Sequence, residues 1–534
     1  MRKQSKWIVI ALLALAMLLQ ACGQEDGKPA NSANPANGKA DPAESAGNTL
    51  IYAAETEFDK INPVLEDTVD INNLIFRGLM RFDETNTPQP DMAESYEISP
   101  DGLVYQFKLK QGIRFHDGQE LTAEDVVFTI SSILDEQVQS VVRSEFVQID
   151  SIEAVHDHEV KITLKQPFPP LLDKLTIGIV PKHALDGQDM NTADFNQNPI
   201  GTGPYRFVKW DRGQSVTLQA YPEYYGKRAS IDRVIVKFVP DSSVRMLQLE
   251  TGEVDMAYLE PSAVEKMSKN DKIAIYKSPS ADYRAMMYNM NFELFQDVNV
   301  RKALNYAVDR AAVVDGILLG YGEPAYSPLQ MNKFANEQIE KYEYNLDKAD
   351  EYLTAAGWIP GSDQIRVKDG KRLAFTITAP SSDPVRVQLA TYLASQLKKI
   401  GADVNAAALD WSVIDISKTE AFMLGWGSPF DADDHTYRLF HSSEIGSGTN
   451  YGSYSDPAVD KLLEQARTTA DTAKREELYK QFQQALADNP PYIFIAYQHA
   501  LYGVNHKVKG IKIKTLGHHG AGFLWNLEEW TLHD

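Results

Sequence analysis

From residue 49 to residue 534 the chain offers no second stretch that could serve as a linker: apolar periodicity begins just after Asn48 and runs to the C-terminus. Domains in such a chain must be interleaved by chain crossings instead of strung on tethers. At ~150 residues per domain about three are expected. Hydrophobic residues make up 43% and charged residues 24%, which suits a water-soluble body with large cores and argues against wholesale disorder. The formal net charge of −21 excludes a nucleic-acid partner, because phosphate neutralisation needs clustered Lys and Arg. A single Cys excludes a disulfide framework, a Cys-based zinc site and an iron–sulfur cluster.

That Cys sits in a distinctive place. Arg2, Lys3 and Lys6 precede an apolar run from Trp7 to Leu19, the charged and apolar regions of a secretory signal. Thirteen apolar residues are too few to span a bilayer, which needs about 20. The next residues, Leu19-Gln20-Ala21-Cys22-Gly23, resemble the bacterial lipobox. The resemblance implies cleavage after Ala21, with residues 1–21 as signal peptide, and diacylation of Cys22, two chains sufficing for stable anchoring. Gly23 to Asn48 holds no aromatic or β-branched residue and cannot pack, so 22–48 is expected to be lipidated Cys plus flexible tether. The body is then expected on the extracytoplasmic face of a bacterial cell membrane.

Beyond the tether the class is mixed α/β. Leu103, Tyr105, Phe107 and Leu109 alternate with polar residues, as do Val160, Ile162 and Leu164, the period-2 mark of half-buried strands. Thr122, with Glu124 and Asp125 behind it, opens a helix. Helical spacing appears in Ala303, Leu304, Ala307, Val308, Ala311 and Val314, and in Leu389 through Ile400, stopped by Gly401. Asp456-Pro457 caps another helix.

No phosphate loop, nucleophile elbow, zinc-protease helix or calcium loop is present in the sequence. Val155-His156-Asp157-His158-Glu159 reads as a hairpin tip and His116-Asp117-Gly118 as a turn. His518 and His519 are adjacent, so on an extended backbone they face opposite sides. The densest chemistry runs from Gly425 to Tyr437, with Trp426, Phe430, Asp431, Asp433, Asp434, His435 and Tyr437 in a loop after the buried strand at Ala421–Leu424. Ligand sites collect at such strand ends, and an aromatic beside carboxylates suits an amine-bearing ligand.

Three blocks carry a family resemblance: Ser99-Pro100-Asp101-Gly102 through Leu121-Thr122-Ala123-Glu124-Asp125-Val126, Gly201-Thr202-Gly203-Pro204-Tyr205-Arg206-Phe207, and Val300 through Arg310. Together they resemble the family-5 extracytoplasmic solute-binding proteins of peptide and nickel ABC transporters. The resemblance implies a bilobed, periplasmic-binding-protein-like α/β fold (type II, cluster C) of three domains with a hinge and an interlobe cleft. Domain I would be assembled from 49–75, 200–285 and 490–534, with domain II at 76–199 and domain III at 286–489. It implies a monomeric receptor, not an enzyme, without cofactor, that closes on a short peptide and presents it to permease subunits and their ATPases.

Site residues follow from the same resemblance. An acid shortly after the Gly-Trp pair would meet the ligand's amine; because Pro429 occupies the third position after Trp426, that role passes approximately to Asp431, with Asp433 next. Arg386 would meet a carboxylate, and Trp426, Phe430, Tyr437, Glu57 and Asn62 would line the cleft. The Trp-Gly-Ser-Pro-Phe-Asp run is also similar to nickel-chelate receptors, an alternative that would use Trp426, Tyr437 and one of His435, His441, His518 or His519. A third reading, a secreted hydrolase, would pair Asp431 with Asp433.

Overall fold

Three principal sheets organise the computed structural model, which describes residues 48–66, 71–446 and 448–533. The signal segment, Cys22 and all but the last tether residue lie outside them. Val104–Leu109 and Glu159–Leu164 pair antiparallel, bury alternate side chains and join Ala93–Ile98 and Ile149–His156 in a four-stranded sheet. The tip of that last hairpin is the Asp157-His158 turn. Helix Ala123–Leu134 packs against this sheet, and its entry is fixed by Asp125, whose carboxylate accepts the Thr122 N–H at 2.9 Å.

A seven-stranded sheet gathers distant segments in the order Ile273–Ser278, Ala500–Asn505, Met256–Tyr258, Thr49–Ala54, Arg233–Phe238, Ser215–Ala220 and Tyr205–Asp211. The six-stranded sheet runs Gly322–Pro324, Tyr492–Gln498, Tyr283–Tyr288, Ala421–Trp426, Ala374–Pro380 and Asp403–Leu409. One continuous hydrophobic core underlies the first two sheets, while the third carries separate cores on its two faces. The result is a bilobed α/β protein. The chain passes between the seven- and six-stranded sheets at 279–282 and again at His499. Residues 490–498 therefore depart from the expected assignment: Tyr492–Gln498 is paired on Tyr283–Tyr288 and belongs to the third segment's sheet, because its seven side chains are buried on both faces there.

Two local expectations are refined. The periodic stretch from Ala303 to Val314 is split into Val298–Tyr306 and Arg310–Gly316, because Asp309 caps the second helix by accepting the Ala312 N–H at 3.0 Å. His116 is more than a turn residue. Its ring accepts the Gly201 N–H at 3.2 Å and meets the Gly203 carbonyl at 3.0 Å, so it ties the first sequence block to the second. No helix among the described residues is long and apolar enough to cross a membrane.

Candidate functional site

Three strands of the six-stranded sheet end toward one region. Ala374–Pro380 leads into Asp383, which caps helix Pro384–Lys398 and places Arg386 in its first turn; Ala421–Trp426 delivers Trp426; and Tyr283–Tyr288 begins there with Arg284. The returning segment Leu516–His519 lies against Ser280 and Ala281, which brings both imidazoles to the same place. Two glycines of the Gly-Trp-Gly run are required by close approach. A Cβ at Gly425 would lie 2.2 Å from Arg284 Nη1 and 2.9 Å from His518 Cε1, and one at Gly427 would overlap the Ala281 carbonyl.

The groups form a connected charge network. Asp282 Oδ1 is 2.5 Å from Arg284 Nη1 and 2.8 Å from His518 Nδ1, and its Oδ2 accepts the His519 N–H at 3.0 Å. Burial by itself would raise the Asp282 pKa, but Arg284 and His518 outweigh it and hold the carboxyl well below the usual range. Burial drives His518 down to about 3, so its ring is neutral at pH 7. Arg386 Nε lies 3.0 Å from Asp383 Oδ2, and Arg386 Nη2 is 3.5 Å from Nε2 of both His518 and His519. Burial, with the like charge of Arg284, lowers the Arg386 pKa to about 10. Trp426 stands between His435, edge-on at 5.6 Å, and His518 at 6.1 Å. This set can receive an anionic group on Arg386 and stack a planar or apolar group on Trp426.

The acids of the 425–437 loop are otherwise engaged. Asp431 is gripped at both oxygens by Arg475, each at 2.5 Å, and Asp433 pairs with Arg467 at 3.0 Å. Burial would raise Asp431, yet Arg475 holds it low. Asp434 lies 2.6 Å from Lys174, which also meets Glu145 at 2.9 Å. The Asp431 N–H donates to Asp173 at 3.0 Å and Phe430 stacks on Phe82 at 3.9 Å, so this loop ties the third segment to the second. Tyr437 lies under the Arg467 guanidinium at 3.7 Å and stacks on His441, whose Nδ1 meets Ser443 at 2.7 Å.

Two residues expected to line the cleft are engaged by protein partners. Asn62 has no exposed surface; its amide is held by Asn196 at 2.9 Å and the Val64 N–H at 3.0 Å, so it serves the core. Glu57 accepts from Trp210 Nε1 and the Gly213 N–H, both at 2.9 Å, and pins the 211–215 turn. Conversely, Asp282, Arg284 and Asp383 were not singled out from sequence. The available signal was a charged pair flanking a tyrosine at the mouth of an otherwise apolar strand. Among the described residues no group of three or more His, Cys, Asp and Glu is placed to hold a metal ion.

A two-lobed body with strand ends and a polar network at the chain crossings defines a solute receptor. The chain belongs to the bacterial extracellular solute-binding proteins, family 5, whose middle-region model matches residues 87–447. It is a binding protein of that class and not an enzyme. It is 32% identical to the oligopeptide-binding protein AppA of Bacillus subtilis over 99% of both chains. The AppA structure, in complex with a nonapeptide, superposes with a TM-score of 0.82 over 91% of this chain and 99% of that one. NikZ of Campylobacter jejuni in complex with Ni(L-His) superposes with a TM-score of 0.87 at 42% identity, over 91% of this chain and 99% of NikZ.

Proposed function

We propose that this protein captures short peptides between its lobes and hands them unchanged to an ABC importer, held near the permease by acyl chains on Cys22. The observation that carries the reading is Arg386. It is 6% exposed, its Nε has no aligned acceptor, and its neighbours on the Nη2 side are imidazoles, one of which is held neutral. A buried guanidinium held on one side by Asp383 and faced on the other by imidazoles, not by a second acid, is suited to a terminal carboxylate. Thermal-shift and calorimetric titration with a di- to pentapeptide library tests it. The melting temperature rises with ligand, and Arg386→Leu weakens binding roughly 10- to 100-fold. A wild-type protein silent across the library removes the peptide reading.

A second reading is a metal carried in an amino-acid chelate. It is favoured by His518 and His519 converging on Arg386 and by the 42% identity to a protein whose structure holds Ni(L-His). In it Arg386 takes the chelator's carboxylate and one imidazole completes the ion's coordination. Equilibrium dialysis with nickel, with and without L-histidine, separates it from the first, and binding unchanged in His518→Ala and His519→Ala excludes protein ligation. The hydrolase reading has no support in the geometry, since Asp431 and Asp433 are each neutralised by an arginine.

A further inference from the structure

The network around Arg386 contains a carboxylate that has no partner. Glu260 follows strand Met256–Tyr258, which runs parallel to Thr49–Ala54 in the register Tyr52 with Met256, and Glu55 follows that neighbouring strand. Both acids thus follow the carboxyl ends of adjacent parallel strands, where ligands of open α/β sheets collect, and the charge of Glu55 acts on Glu260. Four acids, Glu55, Glu260, Asp282 and Asp383, face three arginines there, Arg245, Arg284 and Arg386.

Three of the acids have a cation each: Glu55 with Arg245 at 2.6 Å, Asp282 with Arg284 at 2.5 Å, and Asp383 with Arg386 at 3.0 Å. The Glu260 side chain has neither a hydrogen bond nor an ion pair among the described residues, although it caps helix Pro261–Met267 through its backbone. Burial, reinforced by the charges of Glu55 and Asp383, pushes it up to about 7. The network is thus one positive charge short, and the shortfall falls on Glu260. Arg386, more than nine-tenths buried, stands in the same network with Asp383 on its Nε side and the two imidazoles on its Nη2 side.

We propose that Glu260 is the seat for the ligand's cationic group, an ammonium such as a peptide's α-amine, while Arg386 in the same network takes the anionic end. The assignment rests on the peptide reading and moves the amine site away from Asp431, whose two oxygens are occupied by Arg475. A zwitterion bound this way sets a cation on Glu260 and an anion on Arg386 together, so a ligand with only one of the two charges leaves one of those two groups unmatched.

The test titrates the full chain by calorimetry with a pool of random tripeptides, free at the N-terminus or N-acetylated. Wild type is expected to prefer the free-amine pool roughly 10- to 100-fold, a charged hydrogen bond's worth of discrimination. Glu260→Gln is expected to abolish that preference while binding the acetylated pool within about twofold of wild type, with an unchanged or raised melting temperature. A Glu260→Gln protein that keeps the preference overturns this assignment and leaves the peptide reading standing. One that loses both pools overturns it also, by making Glu260 a structural support. Wild type that binds neither pool overturns the peptide reading and this inference with it.

Discussion

Two acid-rich regions lie within reach of Trp426, and they differ in how their charges are balanced. In the loop from Ser428 to Arg438 the buried acids are matched: Asp431 by Arg475, Asp433 by Arg467, Asp434 by Lys174. In the network at the chain crossings, the acids outnumber the arginines and Glu260 is left over. Matched buried charges hold elements together and have nothing left for a solute. An unmatched one carries a cost of burial that a ligand can relieve. The difference teaches that density of functional residue types is a poor guide to availability. The richer loop acts as a tie between segments, and the sparser network is the better candidate for binding.

The comparison breaks most readily at Arg475. Arg475→Ala should leave Asp431 buried and unpaired, at a cost of about 3–5 kcal/mol in urea unfolding, whereas an effect under about 1 kcal/mol would mean that the loop's pairing is dispensable. Acid provides the next largest effect. Burial depresses His116 to about 4 and His518 to about 3, both below the ~6.5 of an unfolded chain. The unfolded state therefore takes up protons first as pH falls. Stability from these two groups is complete above pH ~6.5 and is lost below it, by about 1.4 kcal/mol per pH unit for each group. Burial lowers His435 and His499 as well, so melting curves from pH 7.5 to 4.5 should show that loss and His116→Asn should reduce the slope without abolishing it; a flat profile would contradict the burial of these rings.

Lys174 sharpens the contrast. Burial would lower its pKa, but Asp434 and Glu145 outweigh it and raise it, so the ion is held charged between the second and third segments. Lys174→Met should destabilise by roughly 2–4 kcal/mol, while Lys174→Met combined with Asp434→Leu should recover at least half of it. Additive losses in that cycle would refute the pairing. Least affected should be Glu57→Gln, which weakens one partly exposed turn by about 1 kcal/mol or less and leaves ligand titrations unchanged; a change in affinity would return Glu57 to the cleft.

Much of the architecture could be read along the chain. Alternation at 103–109 and 159–164 marks real strands, and Thr122 with Asp125 opens a real helix. The strand at Ala421–Trp426 carries its loop at the expected end. These features are legible because their causes are local: side-chain period, cap chemistry, proline and glycine geometry. Asn62 and Glu57 find their partners, Asn196 and Trp210, more than 130 residues away in sequence, so no local pattern announces those contacts. Asp431 seemed available because nothing near it in sequence announces Arg475, which arrives on the helix Thr472–Asp488.

The amino-acid order alone determined the secondary-structure elements, the absence of a linker beyond Asn48 and the clustering of aromatic and acidic residues after Ala421–Trp426, since each depends on neighbours a few residues apart. Tertiary structure decided which charges are spent and which are left. Glu260, Asp282, Asp383 and His518 come from separate stretches of chain, and only when two sheets exchange strands across the crossings do they share one low-dielectric space. Electrostatic balance is a sum over neighbours in space, so it has no counterpart in any single window of sequence.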